Sequence, residues 1–467
     1  MNSDFSTYNS VFSWRYGSKE MRKIFSEEHK YRIWRKIWVV LADQEYRAGI
    51  ISKKEFEDIK KHEDDIDIER ILAIEKETHH DVVAAIKEFA EKAKIGGGKI
   101  HLGATSMDIV DNADALKQKE ALDIIKKQLQ TILKQFAHLI KKYAAVPCVG
   151  YTHLQPAEPT TIGYRFAFYA QDLLLDSSMV RTIELNYLKG KGLKGAVGTS
   201  ASYKRLLQNS TRSVEEFERQ VMNGIGISSI EIANQTYPRK LDFLLVSTLS
   251  SIAQSLYKFA FDLRIMQSPQ IGEWMEPFGK KQVGSSAMPF KRNPINSEKI
   301  CSLARYIAQL PRIAWDNASL TILERTLDDS ANRRIIIPEA FLATDEILQT
   351  AQKILGGIVI NEKRIKRNLE SFAPFAAIEI ILLEVAKRGG DRQVFHEIFR
   401  QISLKAWEAI ENGENNPLEE LLVQRKELRK LMTEEEIKSL IDPTSHIGNA
   451  EKKSKEIVDR IEKISNL

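Results

Sequence analysis

Only two cysteines, Cys148 and Cys301, occur in 467 residues. Two thiols cannot build a disulfide framework or a Cys-based zinc site, and they predict a reducing compartment. Long apolar runs are missing as well. With no stretch of about 18 uncharged apolar residues, no membrane span is expected. The opening MNSDFSTYNSVFSWRYGSKE has no apolar core of signal-peptide length, so a soluble cytoplasmic protein is the expectation. Charge of one sign is scarce: 69 Lys+Arg against 64 Asp+Glu leave a formal +5. Bulk nucleic-acid binding is not implied, and only local basic sites for anionic ligands are expected. Strand signals are few, because no period-2 alternation is flanked by Asn-Gly or Asp-Gly turns. What remains is a globular balance of 43% apolar and 28% charged residues, which excludes a disordered or collagen-like chain.

Helical periodicity dominates. Leu122, Ile125, Leu129, Ile132, Phe136, Leu139 and Tyr143 recur in steps of three and four. They form one a/d seam, with Leu133, Ala137, Ile140 and Ala144 as a second row beside it. The spacing predicts a helix of about 35 residues between Asp111 and Pro147, roughly 50 Å long. Similar patterns run from Thr160 to Leu188, Arg239 to Met266, Pro294 to Ser319 and Asp329 to Leu355. Several are apolar on more than one face, which requires burial in a large bundle or between subunits. The chain therefore reads as all-α. Gly96-Gly97-Gly98 and Gly356-Gly357 punctuate it, and 467 residues exceed what one small core needs. The expected organisation is an N-terminal helical domain (1–105), a central bundle of five long helices (106–360) and a C-terminal helical domain (361–467).

The most informative string is Gly284-Ser285-Ser286-Ala287-Met288-Pro289-Phe290-Lys291-Arg292-Asn293-Pro294. Gly-Ser-Ser gives a mobile polar backbone, Asn293 suits an N-cap, and Pro294 suits a first helical turn. A loop entering a helix N-terminus, with Lys291 and Arg292 beside it, favours an anion. Read on spacing alone, it is also an ordinary solvated basic connector. It is neither a hydrolase elbow nor a phosphate-binding P-loop.

Taken whole, this string resembles the signature of the fumarase/aspartase superfamily. HLGATSMDIVDNA with Thr105-Ser106, YTHLQPAEPTT with Thr152-His153, and NQTYPRK with Gln235 are similar to its other motifs. Arg15-Tyr16, THHDVVA around His80, and LERTLDDSANRR narrow the resemblance to the adenylosuccinate lyase family. The resemblance covers residues from about 13 to about 450.

It implies a three-domain all-α subunit, a twenty-helix homotetramer, and active sites shared between subunits. The implied reactions release fumarate from adenylosuccinate, giving AMP, and from SAICAR, giving AICAR. No metal or cofactor is implied. Ser285 matches the catalytic base and His153 the general acid; Lys291 lies beside the base, and Glu298 matches a glutamate that polarises the histidine. His80, chosen over His79, contacts a carboxylate or phosphate and helps to fix His153. Thr105, Ser106, Thr152 and Asn293 would hold the succinyl carboxylates. Gln235 would contact the base or a carboxylate, and Asp81, Ser286 and Met288 complete the substrate-binding set. Arg15, Tyr16, Arg325, Ser330 and Arg334 match the nucleotide anchors, where an Arg fork suits phosphate. Arg334 is chosen over Arg333, and Asp328 and Asp329 are expected to orient the arginines or cap a helix. Argininosuccinate lyase, fumarase or a crystallin-like structural protein stay open as alternatives, distinguished by the phosphate set and the acid–base residues.

Overall fold

The computed structural model describes residues 6–465. Helices dominate it, in agreement with the all-α reading. The chain divides into two compact units: residues up to 128, 176–254 and 302–348 form one, and 129–175, 255–301 and 349–467 the other. None of its helices is both long and apolar enough to cross a membrane among the described residues.

In the first unit, Ser26 accepts a hydrogen bond from the His29 amide and caps the helix Glu27–Arg47. Tyr31, Trp34, Ile37 and Trp38 on that helix bury one face against Phe89 and Ile109. The helices Ile68–Thr78 and Asp81–Lys92 follow, joined through His79, which sits in the left-handed region at φ 52°. The helix Ser106–Tyr143, whose residues from 129 onward belong to the second unit, has 38 residues, about 57 Å at 1.5 Å per residue. Every residue of its predicted seam, from Leu122 to Tyr143, is buried.

In the second unit, Phe166 stacks on Trp274 with ring centroids 4.6 Å apart, and Phe136 meets Phe259 edge-on. The helices Ile162–Thr182, Lys240–Met266 and Ser330–Leu355, each divided between the two units, match the expected long segments to within a few residues, and Glu362–Lys387 adds a long helix that the sequence pattern did not mark. Two expectations fail. The segment from Pro294 to Ser319 is two helices, Ile295–Ile307 and Leu310–Ser319. Pro311 has no N–H to give the carbonyl of Ile307, so the first helix cannot continue through it. Against the scarcity of strand signals, Pro147–Thr152 pairs antiparallel with Gln155–Thr161 as a hairpin.

Gly163 shows how closely the second unit is packed. A Cβ there would lie 2.6 Å from the Ala144 Cα and 2.8 Å from the Tyr143 carbonyl carbon. These are backbone atoms that cannot swing aside, so Gly163→Ala is expected to destabilise by about 1–3 kcal/mol. A lowered denaturation midpoint checks this, and an unchanged midpoint would show that the two helix ends can separate without loss.

Candidate active site

The predicted site residues fall into two groups, one in each unit. In the first unit, a cavity of about 440 Å³ is lined by His80, Asp81, Thr105, Ser106, Gln235, Arg325, Ser330 and Arg334. Sequence periodicity explains how single helices supply several of them. Ser106, Val110, Asp114 and Lys117 lie along one face at steps of four, four and three. Ser330, Arg334, Ile337 and Pro338 do the same on the helix Ser330–Leu355. Pro338 has no N–H to offer the Arg334 carbonyl, which loosens the helix where it borders the cavity.

The end of the long helix is fixed from below. Asp108 accepts from the Thr105 amide at 3.0 Å and pairs with the buried Lys191 at 2.6 Å. The Gln235 amide donates to the Glu324 carbonyl, tying the NQTYPRK motif to the segment that carries Arg325. The adjacent histidines do not share a helix. His79 ends one helix and His80 caps the next, its Nδ1 accepting from the Val83 amide at 3.4 Å. Only His80 lines the cavity.

Behind the cavity lies a buried ion network. Arg239 pairs with Asp111 at 3.0 Å and Asp329 at 2.6 Å, and Arg325 reaches Asp329 at 2.7 Å. Arg333 pairs with Asp242 at 2.6 Å and Asp114 at 3.3 Å, while Lys117 holds Asp114 at 2.8 Å. Asp329 thus orients two arginines, one of the two roles expected for it. Burial pushes the Asp329 carboxyl upward, but Arg239 and Arg325 outweigh that and hold it below its ordinary value. The choice between Arg333 and Arg334 resolves into two roles. Arg333 is buried in the network, whereas the Arg334 side chain is 64% exposed and pairs with Asp81 at 2.9 Å.

Counted over the cavity wall, Lys30, Lys117, Arg239, Arg325, Arg333 and Arg334 face Glu27, Asp81, Asp114 and Asp329. Asp111 and Asp242, which pair with Arg239 and Arg333 from behind the wall, bring the carboxylates to six, so every wall cation has an acidic partner. Sequence reasoning missed Lys30, Lys117 and Arg239. Lys117 was legible, since it shares a helix face with Ser106. Arg15 and Tyr16 are not on this wall; Arg15 lies over the Trp14 ring, and Tyr16 meets Phe12 edge-on.

The second unit carries Thr152, His153, Ser285, Ser286, Met288, Lys291, Asn293 and Glu298. His153 and Leu154 form the hairpin's two-residue turn at φ 52° and 61°. Such turns need left-handed backbone at both positions and prefer Asn-Gly, so two side-chain-bearing residues here hold stored strain. The hairpin is pinned by Arg165, which donates to the Val149 carbonyl at 2.6 Å and pairs with buried Glu273 at 3.5 Å. Thr152 and His153 project exposed from its tip. Ser285 Oγ accepts from the Met288 amide at 3.1 Å, which curls the signature loop into a turn. Asn293 does not cap the following helix as expected. Its side chain donates to the Gly284 carbonyl at 3.0 Å, and Glu276 accepts the first helical amides instead. The free helix N-terminus predicted for an anion is therefore already filled by a carboxylate. Lys291, Glu298, Ser286 and Met288 are exposed.

This arrangement can be set against known proteins. The family model described as Lyase matches residues 15–308, and that described as Adenylosuccinate lyase C-terminus matches 374–461. Adenylosuccinate lyase of Saccharomyces cerevisiae is 37% identical over 98% of this chain and 95% of its own length. The chain belongs to the adenylosuccinate lyase family. The family members of Pyrococcus horikoshii and Methanocaldococcus jannaschii are 36% and 38% identical, over 97% and 96% of this chain and 97% and 94% of their own. The fold is also that of a fumarate lyase from Mesorhizobium sp. BNC1, with TM-score 0.84 at 24% identity over 97% of this chain and 99% of that one. Membership in the adenylosuccinate lyase family places the chain among carbon–nitrogen lyases of the fumarase/aspartase superfamily.

Proposed function

We propose that the chain cleaves adenylosuccinate to AMP and fumarate, and SAICAR to AICAR and fumarate. In this reading Ser285, as an alkoxide, takes the proton from the carbon beta to the nitrogen. The electrons form the new C=C bond as the C–N bond breaks, and His153 protonates the departing nitrogen. With the helix N-terminus filled by Glu276, the positive setting that a serine alkoxide needs falls to Lys291 and Arg292. Glu298 polarises the histidine part of the site. Thr105, Ser106, Thr152 and Asn293 hold the carboxylates, with Ser286 and Met288 beside them. Arg325, Ser330 and Arg334 hold the phosphate, and His80, Asp81 and Gln235 position the base and succinyl group. Arg15 and Tyr16 join them from outside the cavity described above.

The observation that carries this reading is the single cavity that gathers the predicted nucleotide anchors Arg325, Ser330 and Arg334 with His80, Thr105 and Ser106. A phosphate monoester near neutral pH is close to a dianion. Fumarase or argininosuccinate lyase substrates have no phosphate for Arg325 and Arg334 to hold.

The same reading includes a cytoplasmic homotetramer of three-domain subunits (1–105, 106–360, 361–467) with shared sites. It is supported by large apolar side chains left exposed on one chain, such as Phe168, Leu175 and Trp315, each near half exposed. Absorbance assays test the activity: turnover of adenylosuccinate and none of argininosuccinate is the expected result. The reverse pattern would overturn the assignment.

A further inference from the structure

We infer that Gln267 and Glu276 are positioning residues that clamp shut the base of the loop carrying Ser285, Lys291 and Asn293. The inference rests on the loop's catalytic role proposed above. The loop leaves the strand Trp274–Met275, which pairs with Val359–Ile360, and it returns into the helix Ile295–Ile307. Gln267 spans the two ends. Its Oε1 accepts from the Glu276 amide at 3.0 Å, and its Nε2 donates to the Arg292 carbonyl at 2.9 Å. Glu276 spans them again. Its carboxylate accepts from the Asn296 amide at 3.1 Å, from the Asn296 side chain at 2.8 Å, and from the Ser297 amide.

Glu276 is 5% exposed, Asn296 8% and Ser297 0%, so little water competes for these bonds. A charged acceptor taking buried N–H groups is a strong lock, and removing its charge leaves those donors poorly matched. Between the clamped ends the loop folds on itself. A side chain at Gly284 would collide with the Lys291 carbonyl, and Asn293 ties back to the Gly284 carbonyl at 3.0 Å. The separation of the Ser285 and Lys291 backbones is therefore set by where the two ends are held. Catalysis loses steeply when such geometry loosens, because effective concentration depends on sub-ångström placement.

The test uses full-length Glu276→Gln and Gln267→Ala, with Ser285→Ala as reference. Each clamp variant is expected to lower kcat at least about tenfold with KM changed less than about threefold. Hydrogen exchange should rise in peptides covering 279–294 and stay unchanged in those covering 106–143. Gln267→Ala, which keeps the buried carboxylate, is the milder variant should Glu276→Gln fold poorly. Wild-type kcat and unchanged loop exchange in Gln267→Ala, with Ser285→Ala inactive, would overturn the clamp alone. An active Ser285→Ala would instead overturn the underlying catalytic reading. A parallel fall in stability and exchange protection across the whole chain would reduce both residues to general packing and also reject the clamp.

Discussion

Ser285→Ala and His153→Ala are each expected to lower turnover of adenylosuccinate at least about 10²-fold, because each removes one partner of an acid–base pair. Alanine at 285 leaves no oxygen to accept the carbon-bound proton. Alanine at 153 leaves the nitrogen to depart as an anion. Neither side chain is part of a buried core, since His153 is exposed at a hairpin tip and Ser285 is only partly buried in a loop. Unfolding midpoints should therefore stay near wild type, separating chemistry from folding. If sites are shared, mixing the two inactive variants under subunit exchange restores activity through hybrid sites. No recovery after confirmed exchange would place both groups in one chain, and near-normal rates in both single variants would assign the acid–base chemistry to other residues.

Much of the fold was legible because its strongest signal is geometric. A seam such as Leu122 to Tyr143 can bury its residues only as a helix, and all of them are buried. The hairpin escaped notice for an equally physical reason. Its turn uses His153-Leu154 in the left-handed region instead of Asn-Gly, so the usual mark was missing. That unusual turn carries the residue proposed as the acid, and a strained backbone at a working side chain is where local rules are expected to break. The helix-cap reading of Asn293 failed because capping was judged from neighbours in sequence. The group that fills the helix N-terminus, Glu276, comes from far back along the chain. Pairings of this kind, like those of Asp111 with Arg239 and Asp114 with Arg333, leave no periodic trace.

Arg333→Leu is expected to be the most destabilising single change in the first unit, by about 3–5 kcal/mol, because it breaks a buried charge network from one side. The network balances four cations, Lys117, Arg239, Arg325 and Arg333, against Asp111, Asp114, Asp242 and Asp329. Leucine would remove the partner of Asp242 and one of the two cations beside Asp114, and would also strip the Tyr237 hydroxyl of its 2.8 Å donor. The pH dependence follows from Asp114. Burial pushes its carboxyl upward, but Lys117 and Arg333 outweigh that and hold it at about 2. A carboxyl depressed in the folded state adds stability that is present above its unfolded value, near 4, and is lost as pH falls toward the folded one. The gap between wild type and variant should accordingly be widest near pH 7 and narrow below about pH 4. Adding Asp242→Asn to Arg333→Leu should recover part of the loss, since it removes the stranded charge. Denaturation midpoints at pH 7 and near pH 2 check all three statements. A variant as stable as wild type at pH 7, or a gap that does not change with pH, would mean that the network packs the helices together without its charges mattering.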